Sequence, residues 1–149
     1  MKLTTKTRYA LRALIDLELN SKDTPIQLKD ISRRQDISEG YLENIFTSLR
    51  KHNILGAIKG KKGGFFIKKS PSEITILDIV NAVDEEYILV ECVENPHTCP
   101  RFETCISRLA WITISNELKR TLSKISPQSL TEKNYLRSFS IEKDDNTLL

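Results

Sequence analysis

The sequence predicts a mainly helical protein with one small β-hairpin and one long helix near the C-terminus. In several segments apolar residues recur every three or four positions, which is the spacing of one buried helix face. Two short apolar runs flank the glycine-rich stretch 60–64, a pattern typical of a β-hairpin. An apolar stripe of helical spacing also runs from Ile106 to Ile125. A chain of 149 residues has room for one such domain with an appended arm.

Three helices are predicted in the first part of the chain. The first covers residues 5–19, the second covers 28–34, and a turn at 35–37 leads into the third, which extends to about His52. Ser38 is the expected N-cap of the third helix, because its hydroxyl can accept a hydrogen bond from an unpaired backbone N–H. The apolar face of this helix is formed by Leu42, Ile45, Phe46 and Leu49. Two short helices joined by a short turn, the second with a polar face, are typical of a helix-turn-helix.

The predicted hairpin pairs residues 55–59 with residues 65–69 across the glycine-rich turn. Glycines supply the positive backbone dihedral angles that a tight turn requires. Five cations lie on or near this hairpin, namely Lys59, Lys61, Lys62, Lys68 and Lys69. Lysines at a hairpin tip can neutralise nucleic-acid phosphates without reading base sequence. A basic hairpin after a helix-turn-helix predicts a winged helix-turn-helix with a small β wing.

A fourth helix is predicted to begin after Thr75, because Asp78 stands three residues later in the pattern of a capping box. Residues 87–90 are expected to form a short strand, and residues 91–103 an irregular loop that contains two prolines.

The apolar stripe that begins at Ile106 predicts a helix of about 30 Å. One small winged-helix domain does not readily cover a helix of this length, so we expect it to be a dimerisation helix that packs on a second subunit. Beyond Pro127 the chain is polar, and its end from residue 138 is expected to be mobile.

The net charge of +3 conceals an uneven distribution of charge along the chain. Through Ser70 there are 15 Lys and Arg against 7 Asp and Glu, and after it there are 8 against 13. A basic first half favours a polyanionic partner such as nucleic acid. The chain contains no apolar run of the length that a membrane helix needs, and its first residues lack the apolar stretch of a secretory signal. We therefore expect a cytoplasmic protein.

All three cysteines, Cys92, Cys99 and Cys105, lie within fourteen residues of one another. An odd number of cysteines in a reducing compartment argues against a disulfide framework, and the clustering favours metal ligation. The gaps of six and five residues do not match the close pairs of structural zinc sites. Wider gaps on a loop can accommodate an iron-sulfur cluster, whose irons take thiolate or occasionally imidazole ligands.

Catalysis by a cysteine is the competing interpretation of this region. The chain has only two histidines, His52 and His97, and no glycine-rich oxyanion turn accompanies a cysteine. We therefore expect no enzyme activity.

Four features together resemble the Rrf family of bacterial winged-helix transcriptional regulators (IscR- and NsrR-like). They are residues 1–14, residues 37–43, residues 60–65, and three cysteines that precede a helix containing Trp111. The resemblance implies a homodimer in which the long helices cross, with two winged-helix units that face adjacent major grooves of a DNA operator. It also implies a winged-helix DNA-binding domain over 1–84, a cysteine cluster loop over 85–105, a dimerisation helix over 106–126 and a polar C-terminal tail over 127–149.

The same resemblance assigns the site residues. The recognition helix carries Ser38, Tyr41, Glu43 and Asn44, and the wing carries Lys59, Lys61 and Lys62. A glutamate on such a helix can accept a hydrogen bond from cytosine N4 and repel the phosphates of wrong sites. The cluster ligands are expected to be Cys92, Cys99 and Cys105.

Two positions depart from the family pattern. Family members with a 2Fe-2S cluster place a histidine three residues after the third cysteine, where this chain has Arg108, and nitric-oxide sensors supply an aspartate where it has Arg8. Arginine cannot be deprotonated to ligate iron. The fourth ligand is therefore His97, a loop glutamate, a small molecule or none, and both 2Fe-2S and 4Fe-4S clusters remain open.

The function expected from these features is that of a repressor whose operator binding is controlled by an iron-sulfur cluster that senses iron, redox or nitric-oxide status. Two alternatives remain. One is a cluster-free regulator of the same family that responds through its thiols or a partner. The other is a small iron-sulfur electron carrier, which would have no use for a basic wing.

Overall fold

The computed structural model describes residues 3–84 and 89–132, and within these ranges the chain is mainly helical with one β-hairpin. The elements are α1 (Thr5–Asn20), α2 (Leu28–Gln35), α3 (Glu39–Lys51), β1 (Leu55–Ile58), β2 (Gly64–Ile67), α4 (Ile76–Val83), α5 (Glu91–Glu94), a short 3-10 helix (Pro96–Thr98), α6 (Ile106–Leu122) and α7 (Pro127–Thr131). This order confirms the predicted winged helix-turn-helix, in which the hairpin β1–β2 is the wing. None of the described helices is both long enough and apolar enough to cross a membrane.

The hydrophobic core lies where α1 packs against α2, α3, α4 and α7. Its largest fully buried side chains include Leu14, Leu17, Ile31, Phe46 and Ile79. The wing joins this core through Phe65, whose ring meets the ring of Phe46 edge-on at 4.9 Å between centroids. The wing therefore has a fixed orientation relative to α3.

The predicted helix caps are confirmed. The Ser38 hydroxyl accepts a hydrogen bond from the Tyr41 backbone N–H at 3.4 Å, at the first turn of α3. At the start of α4, Asp78 N–H donates to Thr75 Oγ1 at 3.1 Å, and Thr75 N–H donates to Asp78 Oδ2 at 2.9 Å. This reciprocal pair is a complete capping box.

The hairpin pairs Ile58 with Gly64, so its strands end earlier than predicted. Lys59 lies in the turn, which is closed by a hydrogen bond of 2.9 Å from Gly63 N–H to the Gly60 carbonyl. Gly60 has φ +112°. A Cβ at Gly63 would lie 2.1 Å from the Ile58 carbonyl oxygen, so a side chain at this position requires the backbone to shift.

A third segment extends the hairpin beside its turn, at Phe65, which pairs with Ala57. Ile26 N–H donates to the Phe65 carbonyl at 2.9 Å, and Phe65 N–H donates to the Ile26 carbonyl at 2.8 Å. The connection between α1 and α2 thereby holds the wing on its other side.

A buried carboxylate joins α1 to α2. The side chain of Asp16 is 2% exposed, and it accepts hydrogen bonds from Arg34 Nε at 2.9 Å and from Gln35 Nε2 at 2.9 Å. The hydrogen bond that Arg34 donates to Asp16 is the main reason that the pKa of Arg34 is raised above its usual value. These contacts fix the angle between α1 and the helix-turn-helix.

The second half of the chain differs from the prediction in two places. Residues 91–98 contain the helical turn α5 and the 3-10 helix instead of a wholly irregular loop, because each turn closes with a local backbone hydrogen bond such as Asn95 N–H to the Glu91 carbonyl at 2.8 Å. Of the predicted strand 87–90, Leu89 and Val90 form no strand, and the other two residues lie outside the described ranges.

The tail begins with a helix that the sequence analysis did not predict. A capping box between Ser126 and Ser129 starts α7, and Pro127 is fully buried where α7 meets α1. The helix α6 ends at Leu122 and is therefore about 25 Å long. The mobile end expected from residue 138 lies outside the described residues.

Candidate nucleic-acid interface and cysteine segment

The turn between α2 and α3 sets the geometry of the helix-turn-helix. Asp36 adopts a left-handed conformation with φ 53° and ψ 52°, which ends α2 and redirects the chain. Ser32 Oγ donates to the Ile37 carbonyl at 2.6 Å, and Ile37 itself is buried. The first turn of α3 is therefore held against α2 by a short, well-bonded connection.

The structure exposes all four of the residues predicted on α3. Ser38 caps the helix, and Tyr41, Glu43 and Asn44 lie on its solvent-facing side. The opposite side is buried in the core and is formed by Leu42, Ile45, Phe46 and Leu49. The arrangement gives α3 one face that could enter a DNA groove and one face that cannot move away from the core.

Tyr41 is also held by a series of contacts that the sequence analysis missed. The Tyr9 ring meets the Tyr41 ring edge-on at 5.7 Å, and the Arg12 guanidinium lies 5.3 Å from the centre of the Tyr9 ring. Arg12 in turn donates from Nε to Gln35 Oε1 at 3.2 Å, and the same Gln35 binds Asp16. Tyr9 and Arg12 are three residues apart on one helix, and this spacing could have indicated the contact between them.

The wing presents the three predicted lysines Lys59, Lys61 and Lys62 at its exposed tip. Within residues 3–84 and 89–132, none of the three takes part in an ion pair. Gln27 Nε2 donates to the Lys61 carbonyl at 3.2 Å, which ties the tip backbone to the start of α2. The tip is therefore a positively charged loop held in place at its backbone.

The three cysteines lie at the ends of short elements that precede α6. Cys92 is in α5, Cys99 follows the 3-10 helix, and Cys105 occupies the N-cap position of α6. All three are free thiols and are partly buried. Their segment is bound to α6 by a hydrogen bond of 2.9 Å from Arg108 Nε to the Cys92 carbonyl and by an ion pair of 2.6 Å between Lys119 and Glu94.

Cys105 has a polar environment. Its Sγ lies 3.2 Å from Ser107 Oγ. The hydrogen bond from Ser107 is the main reason that the pKa of the Cys105 thiol is lowered, and the backbone N–H of Arg108 contributes in the same direction.

The donor set fits an iron-sulfur cluster in residue type but is not gathered into a binding site in this conformation. Thiolates are the ligands that such clusters prefer. Yet among the described residues no three His, Cys, Asp or Glu side chains come together as a group that could hold a metal ion. His97 packs edge-on against the Phe102 ring at 5.2 Å, and Arg108 is bound to the Cys92 carbonyl. Arg108 cannot supply a fourth ligand, because its guanidinium is not deprotonated.

An apolar face of α6 remains exposed to solvent. Ile106 is 84% exposed, Leu109 is 64% exposed and Ile114 is 47% exposed, while Trp111 flanks them at 42%. Of the residues of this helix only Ser115 and Leu122 are buried.

Comparisons with known proteins agree with this geometry. The family model named Rrf2, described as an iron-dependent transcriptional regulator, matches residues 3–133. This chain belongs to the Rrf2 family. A relative, the HTH-type transcriptional regulator IscR of Photorhabdus laumondii, is 37% identical over 130 residues, which cover 87% of this chain and 79% of the relative.

Two solved structures resemble this Rrf2 protein over most of their length. The crystal structure of a candidate transcriptional regulator from Listeria innocua has a TM-score of 0.74 and 32% identity, and the match covers 87% of this chain and 85% of that one. CymR, the global cysteine regulator of Bacillus subtilis, has a TM-score of 0.72 and 29% identity, with 87% and 95% covered. This Rrf2 protein is therefore a DNA-binding transcriptional regulator.

Proposed function

We propose that this Rrf2 protein is a homodimeric repressor whose binding to an operator is controlled by an iron-sulfur cluster on the segment that contains Cys92, Cys99 and Cys105. The observation that carries the proposal is the position of the cysteines. All three lie in one partly buried segment, and that segment is bound directly to α6, the helix with the exposed apolar face. Such a protein acts in the bacterial cytoplasm, where its DNA partner lies.

The DNA-binding part of the proposal uses the exposed side of α3 and the wing. Ser38, Tyr41, Glu43 and Asn44 face solvent on α3, where side chains can reach base edges in a major groove. Lys59, Lys61 and Lys62 supply positive charge for the flanking phosphate backbone.

The dimeric part of the proposal uses α6. A row of large apolar side chains in water is costly, and each Å² removed from water contributes about 25 cal/mol. A second α6 packed on Ile106, Leu109 and Ile114 would cover this row and place two winged-helix units on one palindromic operator.

A connection between α6 and α4 supports coupling between the dimerisation helix and the DNA-binding elements. Ile76 N–H donates to the Ile125 carbonyl at 2.8 Å, so the residues after α6 are bonded to the start of α4 in the winged-helix core. A change in how the cysteine segment lies on α6 can therefore alter the spacing of the two recognition helices by shifting a two-state equilibrium.

The proposed ligands are the three cysteine thiolates. When bound, the cluster would supply a redox- and iron-sensitive group at this segment. The contribution of the chain is positional: Arg108 and Lys119 hold α5 on α6, while Ser107 polarises the Cys105 thiol towards the deprotonated form that a ligand requires.

The first test is the absorption spectrum of anaerobically purified protein together with the iron, sulfide and zinc content per chain. We expect visible cluster bands with matching iron and sulfide, and their ratio distinguishes 2Fe-2S from 4Fe-4S. The variant with Cys92, Cys99 and Cys105 replaced by Ala should lack the bands and bind a selected operator with a different affinity from the loaded protein. Equal operator affinity of the two proteins would contradict control by a cluster.

A second candidate function is a cluster-free regulator that responds through its thiols or through a partner protein. Its support is the absence of a gathered metal site among the described residues, together with the similarity to the cysteine regulator CymR. Protein that is colourless and free of metal after anaerobic purification, but binds DNA, would favour this candidate.

A further inference from the structure

A basic cleft lies between the C-terminal end of α3 and the wing. Its volume is about 520 Å³, and residues from α3, the following turn and both strands line it. The polar side chains of the lining are Thr47, Arg50, Lys51, Asn53 and Lys68. The cleft is separate from the lysines at the wing tip and from the exposed residues at the N-terminal end of α3.

All charged side chains that line the cleft are positive. Among the described residues no acidic side chain lines it, whereas Arg50, Lys51 and Lys68 contribute three cations from two different parts of the fold. Neither Arg50 nor Lys51 takes part in an ion pair within the described ranges 3–84 and 89–132. Cations near the last turn of a helix also balance its dipole, but this effect does not explain why Lys68 of the wing lies at the same cleft.

The position of Lys68 is held by hydrogen bonds. Its Nζ donates to Asn53 Oδ1 at 3.2 Å, and its backbone N–H donates to the Ile54 carbonyl at 2.9 Å. Asn53 has φ 57°, a left-handed conformation that turns the chain directly from α3 into β1. The turn therefore brings a wing cation to the end of the recognition helix.

The cleft continues the exposed face of α3. Glu43, Thr47 and Lys51 are spaced four residues apart and share one side of the helix. The helix has 13 residues and is about 20 Å long, whereas the major groove is about 12 Å wide. When the N-terminal half of α3 lies in the groove, its C-terminal half extends to the sugar-phosphate backbone at the edge.

We propose that Arg50, Lys51 and Lys68 form a second phosphate-binding site, which holds the DNA backbone beside the groove that α3 reads. The inference rests on the proposed binding of DNA through α3 and the wing. The polar side chains that line the cleft are exposed rather than enclosed, so the site suits an extended polyanion rather than a small ion. Because phosphates carry no base identity, these residues add affinity for every sequence.

The test compares two double variants of the full chain that lose the same charge. One is Arg50→Gln with Lys51→Gln. The matched control is Lys22→Gln with Lys124→Gln, two exposed cations that do not line the cleft. Binding to a fluorescein-labelled random duplex of about 30 base pairs, long enough for two half-sites, is measured by anisotropy over a range of salt concentrations. Circular dichroism checks that both variants fold.

We expect the decrease of log affinity with log salt to be shallower in the cleft variant than in the wild-type protein. The difference in slope should be about 1.8, since each neutralised phosphate contributes about 0.9. Between 50 and 200 mM salt the wild-type protein should therefore lose about tenfold more affinity than the cleft variant. In the single variant Lys68→Gln the slope of log affinity against log salt should be shallower than in the wild-type protein by about 0.9. The control pair should keep the wild-type slope.

Three outcomes would overturn the inference. If the cleft variant and the control have the same slope, these cations do not bind phosphate. If the cleft variant weakens binding to a selected operator but not to the random duplex, the residues read bases instead of the backbone. If the wild-type protein binds no duplex at all, both the inference and the proposed function fail.

Discussion

Individual residues hold the helix-turn-helix in place through contacts that are far apart in sequence. Asp16 lies on α1 but accepts hydrogen bonds from Arg34 and Gln35 at the end of α2. Gln35 also accepts from Arg12, whose guanidinium lies over Tyr9, and Tyr9 meets Tyr41 on the recognition helix. One buried carboxylate is thus connected to a side chain proposed to face DNA.

We predict that Asp16→Asn lowers the free energy of unfolding by about 2–3 kcal/mol, because it removes the charge that Arg34 pairs with in a buried position. Urea denaturation measures the change. The control is Asp30→Asn, which removes an exposed pair with Arg33 and should cost less than about 1 kcal/mol. Equal losses in the two variants would show that burial of Asp16 does not strengthen its pair.

Local signals explain which residues could be predicted from sequence. The Ser38 cap and the Thr75–Asp78 capping box depend on residues within one helical turn, and both are confirmed. The pair of Asp16 and Arg34 spans 18 residues and exists only because α1 and α2 dock. No pattern within one segment could have shown it.

Among the elements, the wing is held by contacts at its turn and beside it. Beside the turn, Phe65 is bonded to Ile26 and packs on Phe46, and the turn itself is closed by a hydrogen bond between two glycines. The strand pairing was predicted from the glycines and the flanking apolar runs. The extension by Ile26 was not predicted, because a single bridging residue has no pattern of its own.

We predict that Gly63→Ala destabilises the wing, since the added Cβ would lie 2.1 Å from the backbone oxygen of Ile58. The expected cost is about 1–3 kcal/mol, with weaker binding to any duplex because the wing tip is displaced. The matched control is Gly40→Ala on α3, where a Cβ has open space and the helix should gain about 0.5–1 kcal/mol. Thermal denaturation of both variants measures the difference, and a stable Gly63→Ala protein would show that the turn can relax.

The elements after α4 were predicted less well than those before it. Short helical turns such as α5 contain too few residues to show a 3.6-residue period, and Pro96 and Pro100 in the same segment suggested a loop. For α7 a usable signal existed, because Ser126 followed by Pro127 is a typical helix start. The positions of Cys92, Cys99 and Cys105 along these elements follow from the sequence, but whether the thiols converge depends on packing that the sequence does not show.

At the scale of the whole molecule, α6 differs from the other described helices because its outward side is largely apolar and exposed. Ile106, Leu109 and Ile114 occupy that side. The sequence predicted a long apolar stripe here and a second subunit to cover it, and the exposed side chains support the proposed dimer.

We predict that Ile114→Glu converts the protein to a monomer and reduces operator affinity at least tenfold, because a charge on this face cannot be buried without a partner. Sedimentation velocity and anisotropy measure the two effects. The control is Asn81→Glu, an exposed position on α4 that should leave the mass of the protein in solution unchanged. A dimer that persists in the Ile114→Glu variant would show that another surface joins the subunits.

The exposed face of α6 also makes the stability of the proposed dimer depend on the concentration of the protein. When two copies must meet to cover Ile106 and Leu109, mass action makes the folded pair more stable at higher concentration and less stable on dilution. The melting temperature should therefore rise with protein concentration, and operator occupancy should increase more steeply than in proportion to the number of chains in the cell. A small change in synthesis rate would then produce a sharp change in operator occupancy.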